Sequence, residues 1–262
     1  MPSVLTGANM ANRDLIYLGV SGDGDSASIG LGQFAHSIRR GVNMTYIVEN
    51  NGVYGLTKGQ FSATSDPGSK SKRGVVNHDQ SIDLVGLALQ LGASYVARSF
   101  SGDKAQLVPL IKAALSHKGA AFIDVISPCV QFNNHVGSTK SFDYVREHNA
   151  AMNRLDFIEP RAEITVDYAP GEVELVTQHD GSILKLRKLN GDYNPTDRAA
   201  ALARIHEHQA RGEIVTGLLF VEPDAQDLHD HLHTVQKPLN QLADAELIPG
   251  SAALAAINDS LR

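Results

Sequence analysis

Short apolar runs and helical patterns alternate along the first half of the chain. Leu15–Val20 ("LIYLGV") is a continuous apolar run of strand length, Gln33–Arg40 ("QFAHSIRR") reads as a helix, and Met44–Glu49 ("MTYIVE") reads as a second strand. The cycle then repeats. Asp83–Gly92 ("DLVGLALQLG") is helical with a glycine stop, "SYVARS" from Ser94 is a strand, Lys104–His117 is an amphipathic helix, and "AFIDVIS" from Ala121 is a strand. Repeated strand–helix alternation predicts an α/β fold: a three-layer arrangement in which a parallel sheet is covered by helices on both faces. Beyond about Asn149 the texture changes, with strand–turn–strand signals at "HDGS" and "NGDY", then "TGLLFVEP" and two further helical segments. The predicted organisation is an α/β domain over residues 1–149 and a small C-terminal extension over 150–262.

Composition narrows the function classes. A chain of 262 residues, 42% hydrophobic, is long enough to bury a full core. Its net charge of −6, with both signs spread along the chain, offers no basic face for nucleic acid. No apolar run is long enough to cross a bilayer, and "MPSVLTGANMANRD" lacks the basic and apolar regions of a signal peptide, so a cytoplasmic protein without membrane or nucleic-acid partners is expected. The single cysteine, Cys129, excludes an internal disulfide and a multi-thiolate metal site built by this chain alone.

Within this frame, "GVSGDGDSASIG" places Asp23 and Asp25 among glycines where the first strand ends. A tight turn of small residues accounts for that stretch, and so does a ligand site, because ligands of open α/β sheets collect at the carboxyl ends of the strands. The second strand ends in "ENNGVYGLTKGQ", with twenty-five residues separating Gly24 from Asn50. A strand–helix–strand unit that ends both strands in oxygen donors and glycine can hold a hard cation between them. Mg²⁺ takes six oxygens, commonly one or two from side chains with phosphate and water completing the set. The Asp23 carboxylate, the Asn51 amide oxygen and a main-chain carbonyl just beyond would leave the remaining positions for a diphosphate and water.

The combination GDG-x25-NN is similar to the thiamine diphosphate and Mg²⁺ signature. The longer run from "GDGDSASIGLGQ" through "YGLTKGQFSATS", "ISPCVQFNNH", "HDGSILKLRKLNGDYNPTDRAAA" and "KPLNQLADAELIPGS" resembles the β subunit of 2-oxoacid:ferredoxin oxidoreductases across essentially the whole chain. The resemblance implies that Asp23 and Asn51 ligate Mg²⁺ through side chains and Val53 through its main-chain oxygen. It also implies that Gly22, Gly24, Asp25, Gly55 and Leu56 line the diphosphate and thiazolium. Lys58 would stand at the substrate end, where a cation attracts a carboxylate; a solvated loop lysine is the alternative. The implied reaction is oxidative decarboxylation of 2-oxoglutarate or a related 2-oxoacid with coenzyme A. An α subunit and ferredoxin are the implied partners. A non-oxidative thiamine diphosphate decarboxylase or synthase, and a remnant that only binds a partner subunit, are the competing readings.

One departure stands out. Family β subunits resemble one another in cysteine motifs ahead of the GDG strand that are not in this sequence, so a chain shortened at its start is expected. A [4Fe–4S] cluster needs four thiolates, and Cys129 in "ISPCVQFN" matches one of them. Elsewhere, "LHDHLHT" sets His229 and His233 one helical turn apart, which suits either a metal chelate or, without a third ligand, a solvated helix. "IHEHQ" lacks the second histidine of a zinc-protease motif.

Overall fold

The computed structural model describes residues 1–71, 74–127, 164–177, 183–248 and 250–262. Helix α1 (Pro2–Ala11) precedes strand β1 (Leu18–Gly22), a π-type turn (Gly24–Ile29), α2 (Leu31–Arg39) and β2 (Met44–Asn50). A small hairpin, β3 (Val53–Tyr54) and β4 (Gln60–Phe61), leads to α3 (Leu84–Gln90), β5 (Tyr95–Phe100), α4 (Lys104–Ser116) and β6 (Ala120–Ile126). After residue 163 come β7 (Val173–Thr177), β8 (Ile183–Lys188), α5 (Arg198–Gln209), β9 (Ile214–Val221) and α6 (Leu228–Leu232). Helices α7 (Asp244–Leu247) and α8 (Ser251–Ser260) follow.

The strands form one seven-stranded sheet in the order β1-β2-β6-β5-β9-β8-β7. β1, β2, β6 and β5 are mutually parallel, as the alternating pattern predicts. Alternation within the strands then sorts side chains between two layers. Tyr46, Val48, Val96 and Phe122 face a core shared with Leu5 of α1, Phe34 and Ile38 of α2, Val85 and Leu89 of α3, and Ile205 of α5. Ile47, Tyr95, Ala97, Ala121 and Ile123 face the opposite layer, against Leu110 and Ala114 of α4. At the centre of the first layer Phe34 meets Phe122 edge-on at 5.1 Å. Asp83, Asp103 and Asp197 fix the starts of α3, α4 and α5 by accepting backbone N–H groups of the first turn.

Three features differ from the sequence expectation. The first strand begins at Leu18 rather than Leu15, because pairing starts only where β2 supplies a partner, Leu18 against Thr45; Leu15 and Ile16 are left exposed. The segment after residue 163 adds three strands to the same sheet, and β9 lies antiparallel to β5 and β7 antiparallel to β8, so the sheet is mostly rather than wholly parallel. Hydrophobic runs look alike in either strand direction. Of the two turn signals, "HDGS" lies outside the described residues. "NGDY" does not close a hairpin: its turn, with Tyr193 N–H donating to Asn190 O at 3.2 Å, passes into the Asp197-capped helix α5, and β9 returns parallel to β8.

Candidate cofactor site

Parallel pairing brings the carboxyl ends of β1, β2 and β6 to one edge, with Gly22 opposite Glu49 and Asn50 opposite Ile126. Asp23 follows β1 directly and is buried, 1% exposed. Its Oδ2 accepts hydrogen bonds from the Ser62 hydroxyl and from Thr64 Oγ1 at 2.5 Å. Its Oδ1 has one long contact, 3.4 Å from the Asn51 backbone N–H. Asn51 Oδ1 accepts from the Val53 N–H at 3.1 Å, a side-chain turn that folds the chain sharply after β2. Gly52 between them has φ +74°, which an L side chain rarely adopts, and the Ser65 hydroxyl donates to its carbonyl. The two strand ends that the sequence pairs are therefore in contact.

The backbone around Asp23 is shaped by close approach. Gly24 opens the π-type turn, closed by Gly30 N–H to Asp25 O at 2.8 Å. A Cβ on Gly24 would lie 2.5 Å from the Tyr54 ring, whose hydroxyl donates to Gly24 O at 3.0 Å. Gly22 and Gly55, by contrast, border open space. Asp25 is exposed. The turn between β3 and β4 carries Leu56, 99% exposed, and Lys58, exposed with φ +79°. The structure thus gathers Asp23, Gly24, Asn51 and Val53, and sets Leu56 and Lys58 on a projecting turn.

Several residues that the sequence reading did not single out complete the site. Thr64 Oγ1 also lies 3.0 Å from Asn50 Oδ1, and Asn50 Nδ2 donates to Asp124 Oδ1 at 3.1 Å. Asp124, fully buried, accepts from Arg98 Nε at 2.7 Å, and Arg98 reaches Asp83 at 2.5 Å. This polar chain lines a cavity of about 390 Å³ beside the Asn50–Asn51 turn. Burial raises the Asp124 carboxyl above its ordinary range, with Arg98 only partly offsetting it. For Asp83, burial is outweighed by the Arg98 charge and hydrogen bond together with N–H groups of α3, and its carboxyl is lowered. Hydroxyls two residues apart in "FSATS" are the signal for Ser62 and Thr64, since an extended segment points alternate side chains the same way.

The donor set, a carboxylate oxygen with a near-free position, an amide oxygen and main-chain carbonyls, suits a hard cation, and the open space at Gly22 suits a phosphate approaching it. Other candidates dissolve. His229 is buried with both ring nitrogens engaged, Nδ1 with Thr234 Oγ1 at 2.8 Å and Nε2 with Asn9 O at 3.0 Å, while His233 is exposed. His208 pairs with Glu213 at 2.6 Å. Cys129 lies outside the described residues. Among the described residues no helix is long and apolar enough to cross a membrane.

The chain is similar to known thiamine pyrophosphate enzymes. Residues 1–125 match the thiamine pyrophosphate enzyme family, C-terminal TPP binding domain. The chain is 38% identical over 150 residues to the 2-oxoglutarate oxidoreductase subunit KorB of Mycobacterium tuberculosis, covering 57% of this chain and 39% of that protein. It is 44% identical over 131 residues to the 2-oxoacid:ferredoxin oxidoreductase subunit beta of Saccharolobus solfataricus, covering 49% of this chain and 42% of that one. Among solved structures, a 2-oxoglutarate:ferredoxin oxidoreductase from Magnetococcus marinus, with 2-oxoglutarate, coenzyme A and succinyl-CoA bound, superposes with a TM-score of 0.68 at 28% identity, covering 98% of this chain and 72% of that one. The matched segments span about half or less of the curated relatives' length, 39% and 42% for the two named. The chain is thus similar to the thiamine pyrophosphate enzymes over residues 1–125 and, among them, to the β subunits of 2-oxoacid:ferredoxin oxidoreductases.

Proposed function

We propose that this chain is the β subunit of a cytoplasmic 2-oxoacid:ferredoxin oxidoreductase. With an α subunit it converts 2-oxoglutarate or a related 2-oxoacid and coenzyme A to acyl-CoA and CO₂, passing two electrons to ferredoxin. The observation that carries this reading is the buried Asp23 carboxylate in contact with the Asn51 turn across one strand–helix–strand crossover, beside open space at Gly22. The ligands of the Magnetococcus marinus relative support the substrate class.

Thiamine diphosphate, when bound, supplies the nucleophilic carbon and the electron sink that decarboxylation of a 2-oxoacid requires. In this reading the side chains of Asp23 and Asn51 and the Val53 carbonyl hold Mg²⁺ on the diphosphate. Gly22, Gly24, Asp25, Gly55 and Leu56 border the cofactor. Lys58, on its projecting turn, attracts the substrate carboxylate. A [4Fe–4S] cluster does not fit these residues, since the sequence has one cysteine where four thiolates are needed, and no electron-transfer step is assigned to this chain.

A second reading, a non-oxidative decarboxylase or synthase, is opposed by "YGLTKGQ" and "SPCVQFN". The test is an assay of CO₂ release and viologen reduction from 2-oxoglutarate and coenzyme A by the chain reconstituted with its α subunit. Coupled dye reduction is expected, and decarboxylation without it would establish the second reading instead. Titration with thiamine diphosphate and Mg²⁺ addresses a non-binding remnant, for which no saturable signal would appear.

A further inference from the structure

The loop after β4 holds Asp23 more firmly than filling space requires. Ser62 and Thr64 are both buried, and both hydroxyls converge on the same carboxylate oxygen, Oδ2. Ser62 Oγ also accepts the Thr64 N–H at 3.2 Å, which leaves its own proton for Asp23. The single Thr64 hydroxyl proton goes to Asp23 Oδ2 at 2.5 Å, with Asn50 Oδ1 3.0 Å from the same hydroxyl oxygen and its amide Nδ2 donating to Asp124. The loop backbone is anchored independently of these hydroxyls: Ala63 N–H donates to Ser28 Oγ at 3.0 Å, Ile82 N–H to Ala63 O at 2.7 Å, and Ser81 Oγ to Thr64 O at 2.9 Å. Oδ2 is thereby saturated, and Oδ1, whose one contact among the described residues is the long one to the Asn51 N–H, is the oxygen left to bind a cation.

We propose that Ser62 and Thr64 are positioning residues for the divalent ion: they lock the Asp23 carboxylate so that Oδ1 is presented to the metal. The inference rests on the reading of Asp23 as a metal ligand. Groups that orient a metal ligand typically change metal affinity by about 10- to 100-fold when removed.

The test is titration of the full chain with Mn²⁺ at saturating thiamine diphosphate, followed by the electron paramagnetic resonance of free Mn²⁺, beside the thermal midpoint measured without metal. Thr64→Val, which keeps the β-branched shape without the hydroxyl, is expected to weaken Mn²⁺ binding at least about tenfold, and Thr64→Ser to restore it to within about twofold. Ser62→Ala provides the same reading should Thr64→Val fail to fold. A variant with a lowered thermal midpoint and unchanged Mn²⁺ affinity overturns the proposal and leaves Asp23 as a ligand. Absence of saturable Mn²⁺ binding by the wild-type chain, matched by Asp23→Asn, overturns the metal-site reading itself and this inference with it.

Discussion

Arg98 offers the most direct test of how the polar interior is held together. Its side chain is 8% exposed and bridges two carboxylates, Asp83 at 2.5 Å and Asp124 at 2.7 Å. Replacement by Met keeps length and apolar stem but removes the charge. Asp83 retains the Val85 N–H and Gln209, whereas Asp124, fully buried, retains only Asn50 among the described residues. Removing one partner of a buried pair leaves an uncompensated charge and costs about 3–5 kcal/mol. With a urea m-value of about 2–3 kcal/mol/M, Arg98→Met should lower the unfolding midpoint at pH 7 by about 1–2.5 M. The loss depends on pH in a defined direction. Burial already raises the folded-state pKa of Asp124, and losing Arg98, which opposes that rise, raises it further. The penalty is therefore larger at pH 7 and shrinks as pH falls towards the unfolded carboxyl's value of about 4, below which the group is protonated in both states. Adding Asp124→Asn should recover much of the stability. A stability change within about 0.5 kcal/mol of wild type, as for a surface substitution, or a gap independent of pH, would refute the argument.

Three further outcomes are expected. Gly24→Ala places a methyl 2.5 Å from the Tyr54 ring, so the ring must leave Gly24 O; a loss of about 1–3 kcal/mol in thermal unfolding should be reversed in part by adding Tyr54→Ala. Gly102→Ala meets the Ile164 main-chain oxygen at 1.8 Å, an atom that cannot swing aside, and its cost should fall at the upper end of the same range, which chemical denaturation would measure. Hydrogen bonding from Arg187, with help from His208 and Lys185 against burial, lowers the Glu213 carboxyl to about 2. Its contribution is present above the unfolded value of 4.5 and is lost as pH falls towards 2, so Glu213→Gln should flatten the acid limb of a circular dichroism stability profile; parallel limbs would discount the cluster.

Much of the sheet was legible because buried parallel strands are short apolar runs and their helices carry caps and stops: Met44–Glu49, Lys104–His117 and the strand from Ala121 lie within a residue or two of their observed bounds. Strand direction was not legible. β9 has the same apolar character as β6, and only the edge of β5 to which the returning chain adds decides that it runs antiparallel. At the site, the contact between Asp23 and the Asn51 turn was readable from spacing, since the carboxyl ends of neighbouring parallel strands lie side by side. Ser62, Thr64 and Arg98 were hidden for a different reason. A serine or threonine in a loop and an arginine inside an apolar strand acquire meaning only from what faces them, and those partners are up to 41 residues away.

The hairpin β3–β4 meets the scaffold at its base, through Tyr54 on Gly24 and through Ser62 on Asp23, while Leu56 and Lys58 occupy its tip. Grip and reach are thus assigned to separate stretches of one short loop. Changes at positions 55–58 can alter which molecule the tip meets while the anchoring bonds stay as they are. Inheritance can vary the tip and keep the base, so that diversification of this turn is decoupled from the integrity of the fold beneath it.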